Sequence, residues 1–209
     1  KEHYLWQILF QRKKILRKTT YETDKVLSLL ETSEKINSQE YSTQNLLKKV
    51  NAELVCTTED PIDSLEFHQK FANNSVGIKM STAFRPDKAI LIANDGYNAY
   101  LDTLGDVSGV AINTFADLQS ALRKRIEFFN ANGCKLSDHG LNQIDFENFT
   151  ESEVNAIFKK KRENGELSPE EVLKFHSAIL VFLSETYHEF GWVQQFHLGA
   201  LRNNNARMH

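Results

Sequence analysis

The run Trp192-Val193-Gln194-Gln195-Phe196-His197-Leu198-Gly199-Ala200-Leu201-Arg202-Asn203-Asn204-Asn205 holds the densest chemistry in the chain, because an apolar, strand-like stretch delivers a histidine and then an arginine into a loop rich in glycine and asparagine. An imidazole so placed can ligate a metal or move a proton, and a planar guanidinium can grip an anion at two points. Three other apolar runs end in a similar way. Val55-Cys56 leads into Thr57-Thr58-Glu59-Asp60-Pro61, Met80 is followed by Phe84-Arg85-Pro86-Asp87, and Leu136 by Ser137-Asp138-His139-Gly140. Singly these are ordinary: Asp before Pro makes turns, Arg before Pro sits in surface loops, and a strand histidine is commonly a hydrogen-bonded core group. At one end of a parallel sheet they would share a pocket, because a β/α barrel gathers its reactive side chains at the C-terminal ends of its strands.

The elements that must carry these groups are legible as repeated βα units from Ala52 onward, where short β-branched or apolar runs alternate with longer amphipathic stretches. The pattern predicts strands over 53–57, 76–81, 134–137 and 192–197. A helix is expected over 117–130, with Leu118, Leu122, Ile126 and Phe129 on one face and Gly133 as its stop. A shorter one over 150–161 opens with Thr150 and Glu153 as a capping box. A long one over 168–190 opens with Ser168-Pro169-Glu170-Glu171, a capping serine, a first-turn proline and two acids suited to the helix dipole. Its core face is Val172, Phe175, Ile179, Phe182 and Leu183. No GxGxxG, Walker-type GK[ST] or HExxH motif occurs, so part of a barrel fits better than a nucleotide fold.

Residues 1–50 differ, being rich in Lys, Glu, Leu, Ser and Thr without glycine or proline, and read as helical; the basic run Arg12, Lys13, Lys14, Arg17 and Lys18 is a solvated helix face. Lys159-Lys160-Lys161-Arg162 likewise ends a helix and complements its dipole. With 209 residues, 41% of them hydrophobic, the chain can bury a core. A net charge of -3 and a pI near 6.2 give no bulk attraction to nucleic acid or an anionic membrane. No apolar run approaches a membrane span and Lys1-Glu2-His3 does not open a secretory signal, so a cytoplasmic protein is expected. Cys56 and Cys134 form no CxxC pair and are read as buried, reduced thiols.

The stretches TTEDPIDSLEFH (57–68), FRPDKA (84–89), GCKLSDHGL (133–141) and WVQQFHLGALRNNNARM (192–208) are long, ordered and specific, and they resemble those of the uronate isomerases, the glucuronate isomerase family within the amidohydrolase superfamily of metal-binding barrels. The resemblance implies an α/β fold: a partial TIM-type (β/α) barrel over 51–209, preceded by a helical segment over 1–50 like the family's insertion. It implies aldose-ketose isomerisation of hexuronates, glucuronate to fructuronate and galacturonate to tagaturonate, through an enediol. Asp138, His139 and His197 match catalytic positions, and Arg85 and Arg202 the substrate-binding arginines, with Asp60 expected to join them. His197 also matches a histidine beside, or ligating, a divalent metal, by resemblance zinc. The family's His-x-His pair on the first strand and aspartate on the last are missing, so this chain is expected to be an internal fragment, folded but inactive alone. Its expected partner is a small-molecule hexuronate, and whether the whole protein forms a homo-oligomer stays open. Two other readings stay open: a metal-dependent hydrolase of the same superfamily, and a non-catalytic barrel remnant that binds a sugar acid.

Overall fold

Among residues 39–72, 77–144 and 146–200, which the computed structural model describes, four strands lie side by side in chain order, with helices filling the sequence between them. A 3-10 turn (Gln39–Tyr41) and helix α1 (Thr43–Lys49) precede β1 (Leu54–Glu59); α2 (Glu66–Ala72) leads to β2 (Lys79–Phe84). Three helices follow, α3 (Asp87–Ile90), α4 (Tyr97–Ser108) and α5 (Phe115–Ala131), before β3 (Leu136–His139); α6 (Glu151–Arg162) and α7 (Pro169–Glu189) then lead to β4 (Val193–Phe196). The described residues fall into two compact units, one holding 39–55 and 77–79, the other 56–72, 80–144 and 146–200. In the first unit, Ser42 caps α1 by accepting from the Asn45 N–H, and the Lys79 N–H donates to the Glu53 carbonyl at 2.9 Å. The second unit carries the functional groups.

Pairing in that unit is parallel: Phe84 lies opposite Ser137, and Leu136, Ser137, Asp138 and His139 lie opposite Val193, Gln194, Gln195 and Phe196. Parallel neighbours need long crossovers, and the intervening helices supply them. Every strand begins later than the sequence pattern predicts, and β1, β2 and β3 end later. The cause at β3 is the end of α5. Gly133, at φ 86, takes the left-handed conformation that closes a helix, and the Cys134 N–H folds back onto the Phe129 carbonyl at 3.0 Å. Cys134 therefore belongs to the helix closure, and Asp138 and His139 sit in the strand itself rather than in the loop after it. The same closure, from the Trp192 N–H to the Tyr187 carbonyl at 2.9 Å, delays β4 to Val193.

The capping boxes expected at Thr150/Glu153 and Ser168/Glu171 are both formed, and Pro169 opens α7 as its sequence implies. Helix α5 starts two residues earlier than its pattern suggests, because Thr114 and Asp117 make a third reciprocal box. Helix α4 was masked in the sequence by Gly105, which is needed: a Cβ there would stand 2.9 Å from the Val110 carbonyl oxygen. Phe84, Leu118, Leu122, Ile126 and Phe129 are fully buried, with Phe84 edge-on to Phe129 at a 5.0 Å centroid distance. Phe175, Ile179 and Leu183 of α7 complete this core, while Val172 and Phe182 pack at its margin. Both cysteines are thiols, Cys134 buried as expected but Cys56 exposed, because β1 alternates faces and turns Cys56 outward. No helix among the described residues is long and apolar enough to cross a membrane. Arg202 and Val76 lie outside the described residues, as does the basic run 12–18.

Candidate active site

Three neighbouring strand ends are joined by one carboxylate. Asp138, on β3 and 4% exposed, accepts from Arg85 Nη2 at the end of β2 through one oxygen and faces His197 Nδ1, just past β4, at 2.5 Å through the other. The register explains the meeting: Asp138 lies opposite Gln195, and the two-residue period of a strand puts His197 on the same face one step further along. The His197 N–H also donates to the His139 carbonyl at 2.7 Å, so the backbone holds the imidazole in place where the ladder ends. With Nδ1–H donated to a carboxylate, Nε2 carries the lone pair, and the Gln195 amide lies 3.2 Å from it as a donor. The His197 side chain is half exposed, so Nε2 can be reached from outside.

His139 is different from its neighbour. Its ring is fully buried, stacked on Phe196 at 5.1 Å and 5.7 Å from Tyr187. Neither ring nitrogen has a hydrogen-bond partner, and Nδ1 lies 4.0 Å from Asp87 Oδ1. Burial pushes its pKa down to about 4; Asp138 pulls it partly back up and Arg85 pushes it further down. At neutral pH it is an uncharged imidazole buried behind the strand end.

Asp60, by contrast, is built into the loop that follows β1. Its Oδ1 accepts from the Tyr100 hydroxyl at 2.9 Å and the Ile62 N–H at 3.2 Å, and its Oδ2 lies 3.3 Å from Lys88 Nζ. Burial, with Asp60 beside it, raises the Tyr100 phenol far above its ordinary range. Arg125, buried on α5, donates to the Pro61 and Asp63 carbonyls at 2.6 and 2.9 Å and so clamps the loop from below. In the same stretch His68 is buried, bonded through Nε2 to Thr57 Oγ1 at 2.7 Å, with its pKa lowered by burial. None of these bonds links Asp60 to the chain Arg85–Asp138–His197.

Two residues that the sequence reading quotes in its strand-end runs but gives no role of their own stand beside these groups. Asp87 accepts from the Gly140 N–H, and Gln195 faces His197. Strand alternation could have found Gln195, two positions before His197; Asp87 reads locally only as the start of a helix after proline. Among the described residues no three His, Cys, Asp or Glu side chains gather where a metal ion could sit. A divalent metal therefore does not fit the described residues as a complete site, and His197 Nε2 would be one ligand at most.

What the arrangement can do is bind an anion at Arg85 and move a proton at His197 Nε2, with Asp138 setting the tautomer. The family model for glucuronate isomerase (UxaC) matches residues 4–209. The chain is 89% identical over 179 residues to a uronate isomerase of Flavobacterium johnsoniae, an overlap covering 86% of this chain and 38% of that protein. Against a uronate isomerase of Bacteroides thetaiotaomicron it is 45% identical over 199 residues, 91% of this chain and 42% of that one. The chain thus spans about two fifths of the length of the curated relatives it matches. It also superimposes on the crystal structure of a uronate isomerase from Thermotoga maritima with a TM-score of 0.83 at 28% identity, over 98% of this chain and 45% of that one. The α/β fold with its parallel sheet is therefore the fold of a uronate isomerase segment, and the chain belongs to the glucuronate isomerase family.

Proposed function

We propose that this chain is a segment of a longer uronate isomerase that interconverts D-glucuronate and D-fructuronate, and D-galacturonate and D-tagaturonate, and that the remainder of that protein closes the sheet into a β/α barrel. The observation that carries the reading is the chain Arg85–Asp138–His197 across three adjacent strand ends, in a sequence of this family. Moving a hydrogen from C2 to C1 of an aldose through an enediol requires a group that accepts a proton at one carbon and returns it at the next. His197 Nε2 serves there, with its Nδ1–H held by Asp138. Arg85, joined by Arg202, binds the substrate carboxylate, since a guanidinium matches a carboxylate in shape and charge. His139 supports the strand end from behind, and Asp60 shapes the loop after β1 through Tyr100 and Lys88. The metal implied by the resemblance would draw its other ligands from outside the described residues, and no step above passes through it.

The test is turnover of glucuronate and galacturonate by the full-length protein that carries this segment, with zinc present and after chelation. Ketose formation from either uronate is expected. A protein that binds uronates without converting them would overturn the isomerase reading in favour of a sugar-acid-binding module, and hydrolase activity without isomerisation would favour the metal-dependent hydrolase.

A further inference from the structure

Asp87 stands where the loop after β2 meets the end of β3. It opens the short helix α3, and its carboxylate accepts from the Gly140 N–H through both oxygens, at 3.0 and 3.2 Å. That bond fastens the strand end bearing Asp138 and His139 to the segment bearing Arg85. Asp87 also faces the other end of the guanidinium: Arg85 Nε, buried and without a hydrogen-bond partner, lies 3.7 Å from Asp87 Oδ2, while Arg85 Nη2 donates to Asp138. The arginine is thus flanked by acids on both sides, and the two play different parts. A uronate carboxylate arriving at Arg85 competes with Asp138 for the Nη face. The Nε side remains under the charge of Asp87. An arginine has many rotamers to lose, so a fixed counter-charge on one edge keeps the fork aimed while the other edge changes partner.

We infer that Asp87 is a positioning residue for the carboxylate clamp, holding Arg85 aligned as Arg85 passes from Asp138 to the substrate. The kinetic part of this inference rests on the isomerase reading; the structural part does not. Asp87→Asn keeps an acceptor for the Gly140 N–H but removes the charge facing Arg85, so it separates the two contacts.

In the full-length protein, Asp87→Asn is expected to raise the KM for glucuronate about tenfold with kcat within about threefold of the parent, because binding of the charged group is weakened while the proton-transfer pair is untouched. Inhibition by glucuronamide, the uncharged amide of the same sugar, is expected to change less than threefold. An unchanged KM, or equal weakening of acid and amide, would overturn the assignment. The second measurement is a pair of crystal structures. In Asp138→Ala alone, which leaves Arg85 no side-chain acceptor at that position, Arg85 Nε is expected to remain within about 4 Å of Asp87, the limit of an ion-pair contact, and in the Asp138→Ala, Asp87→Asn double variant to leave it. An Arg85 that departs in the single variant, or stays in the double, refutes the positioning role. Absence of turnover in the parent protein would sink the isomerase reading while leaving this structural comparison to decide on Asp87.

Discussion

Replacing Asp138 by asparagine changes almost no volume yet reverses a hydrogen-bond direction. The carboxylate now accepts on both oxygens, from Arg85 and from His197 Nδ1. A guanidinium can only donate, so in Asp138→Asn the amide oxygen is drawn to Arg85 and the amide NH2 turns to His197. Nδ1 must then accept, and the proton moves to Nε2, so the outward-facing nitrogen loses the lone pair needed to take a proton. Holding a proton-transfer imidazole in the wrong tautomer costs roughly a thousandfold in rate, or about 4 kcal/mol of barrier. Stability should suffer far less. Charge-assisted bonds are each worth about 1.5–3 kcal/mol, but solvent screens partners that are 32% exposed at Arg85 and 52% at His197, so a net loss of about 1–2 kcal/mol is expected. The assay is initial-rate isomerisation of glucuronate by the full-length protein, with a thermal unfolding midpoint measured beside it. A kcat/KM within about threefold of the parent, in a folded variant, would refute the tautomer argument and remove Asp138 from the mechanism.

Arg85→Met should weaken glucuronate binding about 30-fold, or about 2 kcal/mol, while weakening a neutral hexose analogue little; equal losses in a binding titration would exclude a carboxylate clamp. His139 titrates near 4 when folded, against about 6.5 unfolded, so between those values the unfolded chain holds the extra proton and folding stability falls as pH drops from 6.5 toward 4, by about 3 kcal/mol in all. Unfolding midpoints at pH 7 and pH 5 should therefore differ more for the parent than for His139→Phe, and matching differences would count against a buried neutral imidazole. Phe129→Ala empties a fully buried site beside Phe84 and should cost about 3–5 kcal/mol in denaturant unfolding; a loss under about 1 kcal/mol would show that the sheet and α5 are not packed through this ring.

The helix starts were legible in the sequence because capping is a local affair. Ser168-Pro169 with Glu171, and Thr150 with Glu153, satisfy each other's backbone within a single turn, whatever the rest of the chain does. The face Leu118, Leu122, Ile126 and Phe129 was legible for a similar reason, since period alone aligns it. The strand ends carrying Arg85, Asp138 and His197 could also be marked, as polar groups that follow apolar runs, and the family resemblance came through them. Tertiary structure alone decided how those groups divide their work. Asp138 and His139 are adjacent and similar in a sequence reading, but the register of β3 against β4 turns one toward Arg85 and His197 and buries the other between Tyr187 and Phe196. Asp60 and Asp87 each precede or follow a proline, yet one is taken up by Tyr100 and Lys88 from distant helices while the other reaches Gly140 and Arg85. The physical reason is range. A cap or an amphipathic period is determined by residues a turn apart, whereas the role of a charge is set by whichever groups the packed sheet brings within a few ångströms of it.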